Sequence, residues 1–260
     1  MKLCKKFATA LIALSLYGVN YADEKKDNSF LNVQKKGEIR VCSQAGFIPF
    51  EMKDKLGEWK GFDVDIMRKF AEFHSLKLTM LDTTLDGLIP ALMTNKCDMI
   101  ASGLTITEKR AKAVLFSKPV FKVKITAALL DTPENREKFK NFSDIDNSNV
   151  KIASHTGSAA TLYLRKTIKS ANHLQFDSES AEVDALVQKR AHVFVDDNVF
   201  IDQASKEMNI KFYTLDSKQE GDLAIAARKN DVALIEKFNN FLEMIDKNGQ
   251  YEKIKKVYFN

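Results

Sequence analysis

The sequence predicts an α/β protein built as two α/β lobes joined by a two-strand hinge, on three observations. Strand-like apolar runs alternate with helical ones from Glu38 onward, and the same alternation restarts at Val150. Between the two series lies one long extended run, residues 120–130. In the first series, residues 38–42 read as a strand. Phe62, Ile66, Phe70 and Phe73 then recur at helical spacing, with Met67 and Ala71 widening the stripe. Residues 76–81 form the next strand. Leu88, Ala91 and Leu92 follow on a short helix, with Pro90 read into its first turn, where a missing N–H costs least. Residues 97–101 close the series, and strand–helix–strand–helix–strand implies a parallel sheet with crossover helices.

The second series has strands at residues 150–153, 192–195 and 211–215, and helices at residues 161–168 and about 180–189. Residues 156–158 form a polar turn before the first of these helices, with Ser158 placed to cap it. Two helices end the chain. Leu234, Ile235, Phe238, Leu242 and Ile245 line one, and Tyr251, Ile254 and Tyr258 line the other. Residues 223–227 read as the return partner of the run at 120–130, which gives two extended crossings between lobes. The expected division is residues 30–121 with 222–260 in the first lobe and 122–221 in the second.

The amino-terminal residues predict export. Lys2, Lys5 and Lys6 precede an apolar run from Phe7 to Val19, and Tyr21-Ala22 stand before a charged stretch beginning at Asp23. This is the layout of a signal peptide over residues 1–22, cut near Ala22, and the run is shorter than the ~20 residues of a membrane span. Cleavage would take three lysines and no acid from a formal net charge of +5. With 29% charged residues of both signs and no basic block, the chain does not read as a nucleic-acid binder. Cys42 and Cys97, which would survive cleavage, have no metal-ligand neighbours at zinc spacing. No cofactor or metal motif is evident.

One segment points to a ligand. Ser102-Gly103-Leu104-Thr105-Ile106-Thr107-Glu108-Lys109-Arg110 joins the strand at 97–101 to a helix expected to begin near Glu108. Hydroxyls, a glycine and one guanidinium therefore meet where a strand hands over to a helix. Backbone N–H and C=O groups beside a planar cation suit a carboxylate with an ammonium next to it, the head of a free amino acid. In the second lobe Asp196-Asp197 ends an apolar strand, and alternation predicts one aspartate on each face.

Five landmarks in order carry a family resemblance: residues 47–51 (Phe-Ile-Pro-Phe-Glu), 61–66 (Gly-Phe-Asp-Val-Asp-Ile), 88–92 (Leu-Ile-Pro-Ala-Leu), 106–110 (Ile-Thr-Glu-Lys-Arg) and 248–254. Together they resemble the amino-acid class of periplasmic solute-binding proteins, family 3, the receptors that feed ABC transporters. The resemblance implies a type II periplasmic binding protein fold with the ligand cleft between the lobes. It also implies a periplasmic, monomeric receptor for a free L-amino acid, with a permease in the inner membrane as partner.

On this resemblance Arg110 grips the ligand carboxylate, with Ser102, Gly103 and Thr105 supplying a hydroxyl and backbone groups. Thr156 and Gly157 add second-lobe contacts, and Asp197 receives the ligand ammonium. Asp196 faces the ligand side chain, beside a wall of Phe47, Leu85 and Gln44. His155 departs from the glycine usual at its place. Gln44 stands where lysine- and histidine-type receptors often carry an acid. That weakens a basic ligand and Asp196 partly restores it, while no extra lysine or arginine falls in the matched pocket, so a polar neutral or basic ligand is expected before an acidic one. Cys42 and Cys97 fall on neighbouring parallel strands out of register, so two buried thiols are expected in preference to a disulfide.

The rival is an enzyme of the same fold, a cyclohexadienyl (prephenate/arogenate) dehydratase. Those relatives carry a glutamate where this chain has Phe200. No Ser/His/Asp triad or phosphate-binding glycine loop is evident, and no catalytic residue is assigned.

Overall fold

The computed structural model describes residues 27–259. The signal peptide read at residues 1–22 lies outside them. Helix α1 (Ser29–Lys36) ends on Gly37, whose left-handed φ of 66° turns the chain into strand β1 (Glu38–Ser43). A small hairpin, β2 (Met52–Lys53) and β3 (Trp59–Lys60), leads to α2 (Phe62–Phe73). Gly61 enters this helix at φ 133°, and a Cβ there would collide with the Phe50 carbonyl, so only glycine allows the approach. Then come β4 (Lys77–Asp82), α3 (Leu85–Met93), β5 (Met99–Ile100), α4 (Glu108–Ala113) and β6 (Val114–Phe116).

Strand β7 (Phe121–Leu130) carries the chain into the second lobe. There follow α5 (Pro133–Lys138), a 3-10 turn at Phe142–Ile145, β8 (Lys151–His155), α6 (Ala159–Thr167), β9 (Asn172–Phe176), α7 (Glu179–Val187), β10 (Val193–Asp197) and α8 (Asn198–Met208). Strand β11 (Phe212–Leu223) returns to the first lobe, which is completed by β12 (Ala226–Arg228), α9 (Val232–Lys247) and α10 (Gln250–Tyr258).

The two lobes have separate five-stranded sheets, ordered β4-β1-β5-β12-β6 and β11-β7-β10-β8-β9. In the first, β1 pairs parallel with β4 on one side and β5 on the other; in the second, β8 pairs parallel with β9 and β10. Each sheet therefore reverses its winding beside its first parallel strand. At such a switch point the loops after adjacent strands part and leave a crevice at their carboxyl ends. The loops concerned follow β1 and β5 in one lobe and β8 and β10 in the other.

Phenylalanines fill much of the first core: Phe50, Phe62, Phe70 and Phe238 are fully buried between α2, the sheet and α9. The second lobe packs on both faces of its sheet, with Ile152, Val193 and Val195 on one and Phe194, Leu186 and Phe200 on the other.

Three expectations need correction. Pro90 is not in the first turn of α3: the helix starts at Leu85 and Pro90 sits inside it. The apolar stripe that locates the helix begins one turn late, because Asp86 in the true first turn is exposed. The carbonyl whose donor Pro90 removes is that of Asp86, within reach of water. The return partner of β7 is β11, paired antiparallel from Phe212↔Leu130 to Leu223↔Phe121. Residues 226–228 instead join the first sheet, against β5 and β6.

Finally, Cys42 and Cys97 form a disulfide, with Cα atoms 5.6 Å apart. In the ladder Cys42 faces Ile100, as the register argument requires. Cys97, however, lies ahead of β5, between α3 and that strand, where the ladder no longer sets its partner. It packs with Cys42 in one cluster with Leu88 and Leu92.

Candidate functional site

A cavity of about 550 Å³ lies between the two switch points, walled by both lobes. Of the predicted residues, Gln44, Phe47, Leu85, Ser102, Gly103, Thr105, Arg110, Asp196 and Asp197 line it, while Thr156 and Gly157 stand just outside its wall. The guanidinium of Arg110 and the carboxylates of Asp196 and Asp197 thus share one space.

Arg110 is placed by capping. Thr107 is the N-cap of α4 and its Oγ1 accepts from the Arg110 N–H at 3.2 Å, which fixes the side chain one turn into the helix and over the cavity. Nη1 donates to the Thr105 carbonyl (2.9 Å) and Nη2 crosses the cleft to the Gly157 carbonyl (3.2 Å). The side chain is 8% exposed. Burial pushes its pKa down to about 10, against the nearby charge of Asp86. A guanidinium has five N–H donors, so these two bonds leave others on a side chain that lines the cavity.

The loop after β5 is held rigidly. Ser102 Oγ accepts the Gln44 N–H (2.9 Å) and donates to Glu51 Oε1 (2.9 Å), while the Gly103 N–H goes to Asp63 Oδ2 (2.9 Å). Those donors are committed within the lobe, so Ser102 and Gly103 shape the site and offer acceptors more than N–H or O–H groups. Burial, with Asp63 beside it, pushes Glu51 well above the usual carboxylate range. Phe47 lies over Gly103, where a Cβ would strike its ring. The same ring stacks on Phe50 of its own lobe (5.3 Å) and Phe200 of the other (5.9 Å).

In the second lobe the loop after β8 carries His155, Thr156, Gly157 and Ser158. Ser158 caps α6, accepting the Thr161 N–H at 3.0 Å, and also touches the cavity. Gly157 has φ 78°, and a Cβ there would meet the Asp86 carboxylate from across the cleft. Asp196 and Asp197 both line the cavity, Asp196 beside Glu182 and Asp197 at the start of α8. The strand ends here, and its carboxyl end opens onto the cleft on both sides. Asp197 Oδ1 caps α8, accepting from Val199 and Phe200 N–H at 2.9 Å each. Its other oxygen is the one left for a ligand.

Two acids were missed. Glu179, the first residue of α7, lines the cavity and accepts from Gln44 Nε2 (3.0 and 3.3 Å), with His155 Nδ1 3.0 Å from its Oε1. His155 itself is 3% exposed; burial would lower its pKa, but the hydrogen bond and charge of Glu179, with Asp196 behind, raise it overall. Glu182 is fully buried one turn further along, and among the described residues no donor reaches either oxygen. Burial pushes it well above the carboxylate range, and as the acid it can donate to Asp196. Burial likewise raises Asp196, to about 6, against the Glu182 hydrogen bond and with the charge of Glu179. The signal for this cluster was present in the sequence: Glu179 and Glu182 share a helix face, and Glu182 falls on the apolar stripe with Val183 and Leu186.

The cavity thus brings one buried cation, Arg110, and several buried carboxylates into one space, with Lys109, Lys112 and Lys166 exposed on its lining. That polarity fits a zwitterion lying across the cleft. Among the described residues no group of three or more His, Cys, Asp or Glu is arranged to hold a metal ion.

The family model of bacterial extracellular solute-binding proteins, family 3, matches residues 39–260. A probable histidine-binding protein of Neisseria gonorrhoeae is 30% identical over 261 residues, spanning 98% of this chain and 96% of that protein. An ancestral amino acid-binding protein, described as a precursor of cyclohexadienyl dehydratase, has a crystal structure with a TM-score of 0.83 at 30% identity, covering 89% of this chain and 100% of that one. A putative binding component of an ABC transporter from Wolinella succinogenes, solved with lysine, gives 0.80 at 32% identity over 86% and 96% of the two chains. By the family match, which runs through both lobes and their crossings, this chain belongs to the bacterial extracellular solute-binding proteins, family 3.

Proposed function

We propose that the protein captures a free L-amino acid, polar neutral or basic, by closing its two lobes on it, and delivers it to an ABC permease in the inner membrane. The observation that carries this reading is the division of the charges: Arg110 comes from one lobe, Asp196 and Asp197 from the other, and all three face one cavity. A ligand pairing with both sets stabilises only the closed arrangement, which is the differential affinity that closure requires. Hinge closure of this kind in periplasmic binding proteins is an example the general physics of domain motion already describes. The moving bodies are residues 30–121 with 222–260 and residues 122–221, with β7 and β11 as the two crossings.

In this reading Arg110 takes the ligand carboxylate and Asp197 Oδ2 the ammonium. Phe47 and Leu85 flank the stem, while Gln44 and Asp196 lie near the side-chain end. Thr105, Thr156 and Gly157 complete the head-group end through backbone and hydroxyl groups. The protein works as an exported monomer in the periplasm, freed of its leader near Ala22. The names of relatives, for histidine in one and a lysine complex in another, support an amino-acid ligand with a basic side chain. The dehydratase reading lacks its acid, because Phe200 is 3% exposed and stacked on Phe47.

A thermal-shift screen of the purified protein against the common amino acids tests the proposal. A ligand at about 100 times its Kd adds roughly 2.7 kcal/mol to apparent stability, several degrees in Tm for a chain of this size. No shift with any free amino acid would overturn it.

A further inference from the structure

We infer that Glu179, reaching in from the second lobe and held at Gln44 of the first, is the residue that makes this receptor select a singly cationic side chain. The inference rests on the reading of the cavity as an amino-acid site and assigns its specificity. Glu179 is 4% exposed, yet it lines the cavity. Its carboxylate is positioned from both sides: Gln44 Nε2 donates to Oε1 and Oε2 from the first lobe, and His155 Nδ1 lies 3.0 Å from Oε1 in the second. A carboxylate has about four lone-pair sites, so these contacts orient it and still leave acceptor capacity on Oε2.

The balance of charge gives the ligand class. Once a zwitterion's head is paired to Arg110 and Asp197, the buried ionisable groups left on the cavity lining are Glu179, Asp196 and His155, with Glu51, which accepts from Ser102, and neutral Gln44; the lysines on the lining, Lys109, Lys112 and Lys166, are exposed. Glu179 and Asp196 both act on the one buried imidazole, His155. Even with that imidazole protonated, one negative charge stays uncompensated inside a desolvated space, where a single guanidinium, ammonium or imidazolium would be bound and a neutral side chain would leave it unpaired. Because Gln44 and Glu179 belong to different lobes, this corner is complete only when the cleft is closed. Selection of the side chain and closure are thus the same event.

The test is calorimetric titration of the wild-type protein and Glu179→Gln with L-arginine, L-lysine and L-histidine, and with L-citrulline and L-glutamine as neutral counterparts. The wild type is expected to bind at least one cationic amino acid roughly 30-fold or more tighter than either neutral one. Glu179→Gln should erase that preference while still binding a neutral amino acid. The helix start is retained in this variant, since Ser178 caps α7 through the Ala181 N–H. Should it nevertheless misfold, Glu179→Asp, with its carboxylate drawn back, should lower the preference by about tenfold or more. A preference unchanged in either variant, or absent from the wild type, overturns the inference and leaves the amino-acid reading intact. A wild type that binds none of the five sinks the amino-acid reading itself.

Discussion

Replacing Arg110 with alanine should separate the fold from the ligand. Without ligand, burial has pushed this guanidinium down to about 10, which corresponds to a desolvation penalty on the order of 3 kcal/mol. Against that stand two hydrogen bonds from the charged group, to the carbonyls of Thr105 and Gly157, each contributing ~1.5–3 kcal/mol. Removal relieves the first and loses the second, so the unliganded protein should change by no more than about 3 kcal/mol. Water entering the cleft can serve the two carbonyls and narrow that further. The liganded state has no such compensation. Loss of the two-pronged hold leaves a carboxylate unpaired in a desolvated site, a cost of ~3–5 kcal/mol, or roughly a hundredfold to a few thousandfold in Kd. Scanning calorimetry of the free variant and titration with the ligand found in the screen would measure both. A well-folded Arg110→Ala protein that binds within tenfold of the wild type would refute the assignment of this residue to the ligand carboxylate. Arg110→Lys should fall between, since a point charge cannot reproduce the fork.

Three further outcomes follow from the same geometry. Asp197→Asn should weaken ligand binding about a hundredfold with little change in Tm, because asparagine caps α8 as well as aspartate does but carries no charge for the ammonium. A large loss of stability with normal affinity would make Asp197 a cap and nothing more. Replacing Cys42 and Cys97 together by alanine removes a crosslink spanning 55 residues and should cost ~2–4 kcal/mol in denaturant unfolding, with affinity unchanged because neither sulfur touches the cavity. Affinity for a cationic amino acid should be full above about pH 7 and fall as pH drops through 6. A cation favours ionised Asp196, which burial holds at about 6 in the empty pocket, so below that value binding must expel a proton. His155, raised overall by Glu179 and Asp196 despite burial, opposes the cation as well once it is protonated. Titrations near pH 5 and pH 7.5 giving equal affinity would remove this linkage.

Much of the site was legible because it sits in local patterns. Arg110 is read from a hydroxyl-rich turn running into a helix, and the structure adds only that Thr107 caps that helix and aims the side chain. Asp196 and Asp197 are read as charges ending an apolar strand. What local pattern misjudged was where an element starts: a proline expected in a first turn lies deeper in its helix. An apolar stripe fixes the phase of a helix and does not mark its first turn.

The order of elements, the doubling of the α/β pattern and the polarity of the binding groups were determined by the sequence alone, since each depends on neighbours a few residues apart. The tertiary structure decided which distant groups meet. Gln44 and Glu179 are 135 residues apart, and nothing near either marks the other as its partner. Cys97 bonds to Cys42 from outside β5, so the strand register does not pair them. Such contacts exist only because two separately wound sheets present their switch points to each other, and that is a property of packing, not of any segment.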